Sequence, residues 1–119
     1  MSKHNELGKF GEELAVDCLL QKGYQILETN WRFQKAEVDI IASKAEWLIA
    51  VEVKTRSTND FGDPQEFVNK KKIKLLVQAM DEYVNRHKLE VEVRFDIVAI
   101  TINEKQLEIE HLEDAFYHF

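Results

Sequence analysis

The chain has 119 residues. This is the length of one domain, so we expect a single domain over residues 1–119 that buries about two-thirds of its unfolded surface. Cys18 is the only cysteine, which excludes a disulfide or a cysteine-based zinc site within the chain. The N-terminal residues contain no apolar signal segment and no stretch is apolar enough to cross a membrane, so we expect a cytoplasmic protein without a membrane partner.

The net charge of −6 at pH 7 argues against a protein that binds a polyanion. The charge is unevenly distributed, however, because residues 96–119 contain six acidic side chains against the single Lys105. That segment carries a net charge of −5, which leaves −1 for residues 1–95. One bound divalent cation would make this larger part positive, so the overall charge does not exclude a nucleic-acid partner.

The first predicted element is an amphipathic helix over residues 6–22, which ends where Gly23 gives a stop signal. Apolar residues at helical spacing predict its core-facing stripe, which consists of Leu7, Phe10, Leu14 and Cys18. We expect the side chain of Glu12 to reach over the edge of this helix toward a neighbouring sheet. A plain surface glutamate is the alternative for Glu12, and Glu13 is expected on the surface.

Three β-strands are predicted next, over residues 24–33, 36–42 and 47–54. Because side chains alternate along a strand, Glu37 and Asp39 would share one face of the second strand. Val38 and Ile40 would lie on its other face.

The third strand places a carboxylate and an ammonium inside an otherwise apolar run. Glu52 and Lys54 would share one face, about 6.6 Å apart along the strand. Val51 and Val53 would point the other way. The pattern predicts a polar site on one face of the sheet.

A hairpin brings the two acidic strands together. If a two-residue turn falls at Ala45–Glu46, Asp39 lies opposite Glu52, with the side chains about 5 Å apart. Such carboxylates repel unless a positive charge intervenes, and Mg²⁺ is the simplest candidate because it needs only one or two protein carboxylates. Lys54 would then flank the metal. The alternative is a solvent-facing edge strand with a cross-strand ion pair.

Residues 57–62 form a predicted polar loop. Asp63–Glu66 has the pattern of a helix start, with a capping Asp, Pro in the first turn and Glu three residues after the cap. This helix is expected to run to about Arg86 and to bury Val68, Ile73, Leu76, Val77, Met80 and Val84. Strands over 91–102 and 106–110 follow, joined by a turn at 103–105.

A basic cluster lies in this second helix and consists of Lys70, Lys71, Lys72 and Lys74. With Lys54 and Arg56 it could form a phosphate-contacting rim, and a solvated helix face is the alternative. Trp31 and Trp47 are expected to pack in the core or across strands. The four histidines lack metal-ligand spacing and are expected on the surface: His4, His87, His111 and His118.

Several segments together resemble a known family. The order Gly11-Glu12, Glu37-x-Asp39 and Glu52-x-Lys54 resembles the PD-(D/E)XK nuclease core. More closely, the chain resembles the YraN-like family of bacterial proteins, which are similar to archaeal Holliday-junction resolvases. Further matching segments are Gly8–Ala15, Gly23–Leu27, Asn30–Arg32, Phe61–Glu66 and Arg94–Ala99. The chain departs from the family at Ala36, where Gly is usual, and at the turn 43–46, which lacks the common Asp-Gly.

The resemblance implies an α/β (α+β) fold with a restriction-endonuclease-like core, in which helices flank a mixed sheet of about five strands. It also implies a divalent-metal-dependent DNA endonuclease. Asp39 and Glu52 would hold one or two Mg²⁺ or Mn²⁺ ions, with the Val53 carbonyl as a further ligand. The cation would act as a Lewis acid on the phosphate.

Other roles follow from the same resemblance. Lys54 would orient the attacking water or stabilise the phosphate charge. Glu12 would hold a metal through water, and Glu37 is a weaker candidate for the same role. DNA contacts would come from Arg56, Lys70, Lys71 and Lys72. Branched DNA and a homodimer are the expected substrate and assembly, because a two-fold protein can cut two strands symmetrically.

Two alternatives to an enzyme remain open at this stage. The first is a catalytically silent module that binds nucleic acid or a protein partner on a nuclease scaffold, which the acidic balance favours. The second is a structural subunit that works only inside a complex. Competent residues at every expected catalytic position favour the enzyme.

Overall fold

The computed structural model describes residues 3–57 and 68–116, with side chains from residue 6 onward. The elements follow in the order α1 (Lys3–Gln21), β1 (Gln25–Phe33), β2 (Ala36–Lys44), β3 (Trp47–Arg56), α2 (Lys70–His87), β4 (Glu92–Ile102) and β5 (Leu107–Leu112). All five predicted strands are present, although β2, β3 and β5 each extend two residues beyond their expected ends. In the described part of the chain, no helix is long and apolar enough to cross a membrane.

The five strands form one sheet in the order β1-β2-β3-β4-β5. Neighbours are antiparallel except for β3 and β4, which are parallel. A parallel pair needs a crossover connection, and α2 lies in that connection. Helix α2 packs on one face of the sheet, over residues that include Leu48 and Ala50, whereas α1 packs on the other face, over Ile49 and Val51. The predicted α+β fold with a mixed, helix-flanked sheet is confirmed.

The buried side of α1 differs from the predicted stripe. The residues fully buried against the sheet are Gly11, Ala15 and Leu19, whereas Phe10 is 48 % exposed. Leu7, Leu14 and Cys18 are only half-buried. The prediction of a stripe centred on Phe10 and Leu14 was therefore wrong, because the small side chains at 11 and 15 let the helix approach the sheet closely.

Helix α2 begins later than predicted. Its first helical residue is Lys70, and Asn69 caps it by accepting a hydrogen bond from the Lys72 amide at 2.9 Å. Asn69 has extended backbone angles, so one continuous helix from Pro64 to Arg86 is wrong. The predicted start at Asp63–Glu66 itself lies outside the described residues. The fully buried residues of α2 are Leu76, Ala79, Met80 and Tyr83, while the expected Val68, Ile73, Val77 and Val84 are half-buried.

The β2–β3 hairpin has the predicted two-residue turn at Ala45–Glu46, because Lys44 pairs with Trp47. Ala45 takes the left-handed conformation there, with φ +53°. The alternation of faces in β2 does not continue through Asp39. Val38 belongs to the core on the α2 side and Ile40 to the core on the α1 side, so the prediction that they share a face was wrong.

The reason for this change of face lies in the neighbouring strands. Asn30 of β1, opposite this point, has a left-handed φ of +49°. On the other side, the β2–β3 ladder ends at the pair Ile40–Val51. Asp39 therefore occupies an irregular position where β2 is least constrained by regular pairing.

A buried ion cluster joins β4 to the C-terminal segment. Asp96 is fully buried and accepts hydrogen bonds from Arg94 Nε and Nη2 at 2.8 Å and from the Asp114 amide at 3.0 Å. His111 Nε2 lies 2.7 Å from the same carboxylate, and the His111 side chain is only 2 % exposed. The expectation of a surface histidine was wrong for His111, because Asp96 gives its ring a buried hydrogen-bond partner. His4 and His118 fall outside the described side chains.

The two tryptophans pack against other side chains. Trp31 stacks on Phe33 and meets the edge of Tyr83, as expected of a residue that contributes to the core. Trp47 is 38 % exposed, and the Arg94 guanidinium lies over its ring.

Candidate metal centre

Asp39 and Glu52 come together where the β2–β3 ladder ends. The last pair of the ladder is Ile40–Val51, and Asp39 and Glu52 are the next residues on each strand. Asp39 Oδ2 accepts a hydrogen bond of 2.8 Å from the Val53 amide, which fixes its carboxylate against the backbone of β3. The hairpin register predicted from the sequence thus brings the two carboxylates together at this end of the hairpin.

Glu52 is the most buried carboxylate of this site, with a side chain only 8 % exposed. Its Oε2 atom forms an ion pair of 2.6 Å with Lys72 Nζ of α2. Its Oε1 atom is buried and has no hydrogen-bond partner among the residues the structure describes. A buried acceptor without a partner costs free energy, so Oε1 is a position where a bound cation would be stabilising.

Burial and neighbouring negative charges raise the pKa of both carboxylates. Burial and the charge on Glu52 raise the pKa of Asp39 to about 7, although the Val53 amide acts in the opposite direction. Burial also raises the pKa of Glu52, against the lowering effect of Lys72. Burial by itself would lower the pKa of Lys72, but its hydrogen bond to Glu52 and the nearby carboxylates outweigh burial and raise it. The site therefore has excess negative charge that a further cation can neutralise.

Glu12 approaches the end of the β2–β3 ladder from α1. Asn30 Nδ2 donates hydrogen bonds to both carboxylate oxygens of Glu12, at 3.2 and 3.3 Å. A cavity of about 280 Å³ lies between α1 and strands β1 and β2, lined by Lys9, Glu12, Glu13, Val16, Asp17, Thr29, Asn30, Asp39 and Ile40. Glu12 and Asp39 thus line one cavity. Glu13 is exposed, as expected.

Gly11 sets the distance between α1 and β3. A Cβ atom at this position would lie 1.8 Å from Thr55 Oγ1 and 3.0 Å from Thr55 Cβ. Only glycine permits this approach, which carries Glu12 to the edge of the sheet beside Asp39.

Gly11→Ala is therefore expected to lower the free energy of unfolding by about 1–3 kcal/mol, because α1 must move away from Thr55. Gly8→Ala is the matched control in the same helix. An added Cβ at Gly8 meets nothing within 4 Å, so this change should raise stability by about 0.5–1 kcal/mol through helix propensity. Urea denaturation of the two variants checks the prediction, and equal effects would show that the contact with Thr55 is not limiting.

Glu37 lies on the other side of Asp39. It forms an ion pair of 2.7 Å with the exposed Arg32. It also lines a second cavity of about 300 Å³ together with Lys35, Ala36, Asp39, Glu52, Lys72, Leu75 and Leu76. Asp39 lines both cavities. Asp39 therefore faces cavities on both sides of the sheet, whereas Glu52 lines only the second one.

The basic candidates lie around this edge. Lys54 is exposed and follows Glu52 by two residues, so strand alternation puts both on one face. Arg56 ends β3 and is half-buried, with Nε 3.5 Å from Thr101 Oγ1. Lys70 and Lys71 are exposed in the first turn of α2. Of the four predicted DNA contacts, only Lys72 lies inside the carboxylate site.

The residues present fit a hard divalent cation. Mg²⁺ and Mn²⁺ take oxygen ligands and are often held by one or two carboxylates together with water and substrate. Asp39 and Glu52 supply this pair, and Glu52 Oε1 supplies an oxygen without another partner. Within residues 3–57 and 68–116, no three acidic, histidine or cysteine side chains converge closely enough to form a complete protein-made site. Glu12 and Glu37 are therefore not direct third ligands in this arrangement.

An α+β domain with a five-stranded mixed sheet, helices on both faces and two acidic residues where the ladder of its inner strands β2 and β3 ends is consistent with a restriction-endonuclease-like core. Residues 11–100 match the model of the uncharacterised protein family UPF0102. The chain belongs to this family, which confirms the resemblance to YraN-like proteins.

Similar proteins cover the whole chain. A UPF0102 protein of Flavobacterium psychrophilum is 61 % identical over all 119 residues of both chains. One of Christiangramia forsetii is 60 % identical, again over the full length of both. A UPF0102 protein of Bacteroides fragilis is 45 % identical over 98 % of this chain and 97 % of its own.

Two site residues were not recognised from the sequence in their observed roles. Asn30 was named only within the matching segment Asn30–Arg32 and given no role, although it donates hydrogen bonds to Glu12. Lys72 was expected at the DNA rim and instead pairs with Glu52. A signal for Lys72 did exist, because three lysines in the first turn oppose the helix dipole and indicate a use other than helix stability.

Proposed function

We propose that this protein is a divalent-metal-dependent endonuclease that hydrolyses phosphodiester bonds in DNA. The observation that carries the proposal is the pair Asp39 and Glu52, which meet at the end of the hairpin ladder with Glu52 Oε1 buried and unpartnered in the described structure. Mg²⁺ or Mn²⁺ would be held by these two carboxylates. The backbone carbonyl of Val53 is a further proposed ligand.

The bound cation supplies Lewis-acid stabilisation of the phosphate and a more acidic attacking water. The chain's own residues supply positioning. Lys54, on the same side of β3 as Glu52, contacts the phosphate and stabilises the charge that develops there. Glu12 lies across the first cavity from Asp39 and orients water through its carboxylate, whose position is fixed by Asn30.

DNA binding is assigned to basic residues near the site. Lys70 and Lys71 extend from the first turn of α2, and Arg56 ends the acidic strand. Contacts of this kind fix the position of the phosphate backbone but do not read sequence. Branched DNA is the substrate class that the resemblance to junction resolvases favours. Symmetrical cutting of a junction requires two active sites, so the proposal includes a homodimer.

Cleavage of end-labelled DNA tests the proposal. Single-stranded, duplex, flap and four-way-junction substrates are incubated with Mg²⁺, Mn²⁺ or EDTA. We expect metal-dependent cutting by the wild type and a loss of about 10²-fold or more in Lys54→Ala. Lys105→Ala removes the same charge from an exposed turn and should cut normally. Normal cutting by Lys54→Ala would contradict the proposed role of Lys54. If the wild type cuts none of the substrates, the proposal that this protein is a nuclease is wrong.

A silent binding module is the second candidate, and the net charge of −6 is the observation that favours it. Such a module needs no divalent cation in order to bind. DNA affinity that is equal in EDTA and in Ca²⁺, together with absence of cleavage, would support this candidate over the nuclease.

A further inference from the structure

The first turn of α2 has an unusual charge. It contains Lys70, Lys71 and Lys72 and no acidic residue. The amino end of a helix carries partial positive charge, so acidic residues are favoured there and lysines are not. Nothing within the helix offsets this unfavourable placement of three lysines, which indicates that their positive charge serves a binding site.

Lys72 is the one of these lysines that enters the carboxylate site. Its Nζ atom lies 2.6 Å from Glu52 Oε2, yet its side chain is 46 % exposed, whereas that of Glu52 is 8 % exposed. The ammonium is thus held at the mouth of a buried carboxylate by a flexible stem that is about half-exposed. Such a side chain can leave the carboxylate without any change in the backbone.

Lys72 and a divalent cation would compete for the same group. Glu52 has two oxygens, of which Oε2 binds Lys72 and Oε1 is buried without a partner in the described residues. A cation on Glu52 would lie within a few ångströms of the ammonium and repel it. The cavity that both residues line, about 300 Å³ in volume, also contains Asp39 and leaves room for the ammonium to move.

We propose that Lys72 is a displaceable counter-ion of Glu52, which occupies this carboxylate in the metal-free protein and moves to the substrate phosphate when a divalent cation binds. This inference rests on the proposed function. Lys72 accordingly lowers the affinity of the site for the cation and adds a phosphate contact only in the metal-bound protein. The alternative is that Lys72 and Glu52 form a permanent ion pair, which persists in both the metal-free and the metal-bound protein.

Calorimetric titration with Mn²⁺ in the absence of DNA tests the competition. We expect Lys72→Met to bind Mn²⁺ about tenfold more tightly than the wild type, because one nearby positive charge is removed. Lys88→Met removes the same charge beyond the other end of α2, about 24 Å along the helix axis, and should bind as the wild type. Lys72→Gln serves as a second variant, and urea denaturation verifies that each variant folds.

The outcomes separate this inference from the proposed function. Tighter binding by Lys72→Met alone supports the competition. Binding by the wild type with unchanged or weaker binding by Lys72→Met overturns the counter-ion role and leaves the nuclease proposal standing. Failure of both the wild type and Lys72→Met to bind Mn²⁺ overturns both.

The salt dependence of DNA binding tests the release of Lys72. Each phosphate contact contributes about 0.9 to the slope of log affinity against log salt. In Ca²⁺, Lys72→Met should have a slope smaller than that of the wild type by about one contact, whereas in EDTA the two slopes should agree. An equal difference in both solutions would show that Lys72 contacts DNA regardless of the cation and would overturn its release.

Discussion

Glu52→Gln is expected to abolish metal-dependent DNA cleavage while leaving the folded protein at least as stable as the wild type. Glutamine keeps the shape and an acceptor for Lys72 but removes the charge that would hold the cation. The activity should fall by about 10³-fold or more. Cleavage rates and urea denaturation measure the two effects separately.

The stability part of this prediction follows from the electrostatics of the site. The pKa of Glu52 is raised in the folded protein, chiefly by burial, so the fold disfavours the ionised form. A neutral side chain avoids that desolvation and the repulsion with Asp39, and the half-exposed Lys72 can return to water. Functional residues commonly oppose stability in this way.

Glu108→Gln is the control for Glu52→Gln, because it removes the same charge from an exposed position in β5. It should leave both cleavage and stability unchanged. A large loss of stability in Glu52→Gln would instead identify the Glu52–Lys72 pair as a structural salt bridge, and retained cleavage would remove Glu52 from the catalytic site.

Asp96→Asn is expected to lower the free energy of unfolding by about 3–5 kcal/mol, the largest structural effect among these variants. Asp96 is fully buried and neutralises Arg94 through two hydrogen bonds of 2.8 Å. Lys22 Nζ donates to His111 Nδ1, so His111 Nε2 carries the hydrogen that faces Asp96. An amide at position 96 would leave Arg94 only the exposed Glu113, 3.2 Å from its Nη2 atom, as a counter-ion. It would also place an amide donor against the donors that now face Asp96.

The same carboxylate predicts how stability depends on pH. Burial alone would raise the pKa of Asp96, but hydrogen bonds from His111, Arg94 and the Asp114 amide outweigh burial and lower it. A lowered pKa means that Asp96 stabilises the fold above its unfolded pKa, which is about 3.9, and that this contribution is lost as the pH falls below that value. The wild type should therefore lose stability more steeply than Asp96→Asn as the pH falls from about 5 to 3.

Asp114→Asn is a matched control for the change at Asp96. Asp114 is exposed and has a left-handed φ of +50°, which asparagine tolerates, and its contact with Asp96 uses only the backbone amide. Its stability should be close to that of the wild type. Equal stability of the two variants, or parallel pH profiles for Asp96→Asn and the wild type, would contradict a dominant role for the buried ion cluster.

The sequence predicted those features that depend on local periodicity. The alternation in β3 and the two-residue turn at Ala45–Glu46 were enough to bring Asp39 and Glu52 to the same end of the hairpin. Strand pairing has a period of two, so once the turn is known every pair that follows is determined. The position of Glu12 did not follow from the predicted stripe, because two residues correspond to about 200° of helix rotation and put Glu12 opposite Phe10 and Leu14. The observed buried side, along Ala15, is what brings Glu12 near the sheet.

Features that depend on contacts distant in sequence were not predictable. The rotation of α1 arises from the close approach of Gly11 to Thr55, which hydrophobicity does not encode. The pairing of Lys72 with Glu52 depends on where the crossover helix lies on the sheet. His111 was taken for a surface residue because its buried partner, Asp96, is on a different strand. In each case a tertiary contact overrode a pattern that was correct only locally.

Mn²⁺ binding followed by electron paramagnetic resonance in the wild type, Asp39→Asn and Glu52→Gln tests most directly that these two carboxylates form a cation site. The free-ion signal should decrease when wild-type protein is added, and each substitution should abolish that decrease although both variants remain folded. Undiminished binding in both variants would show that the cation binds elsewhere, and the proposed metal centre would be wrong.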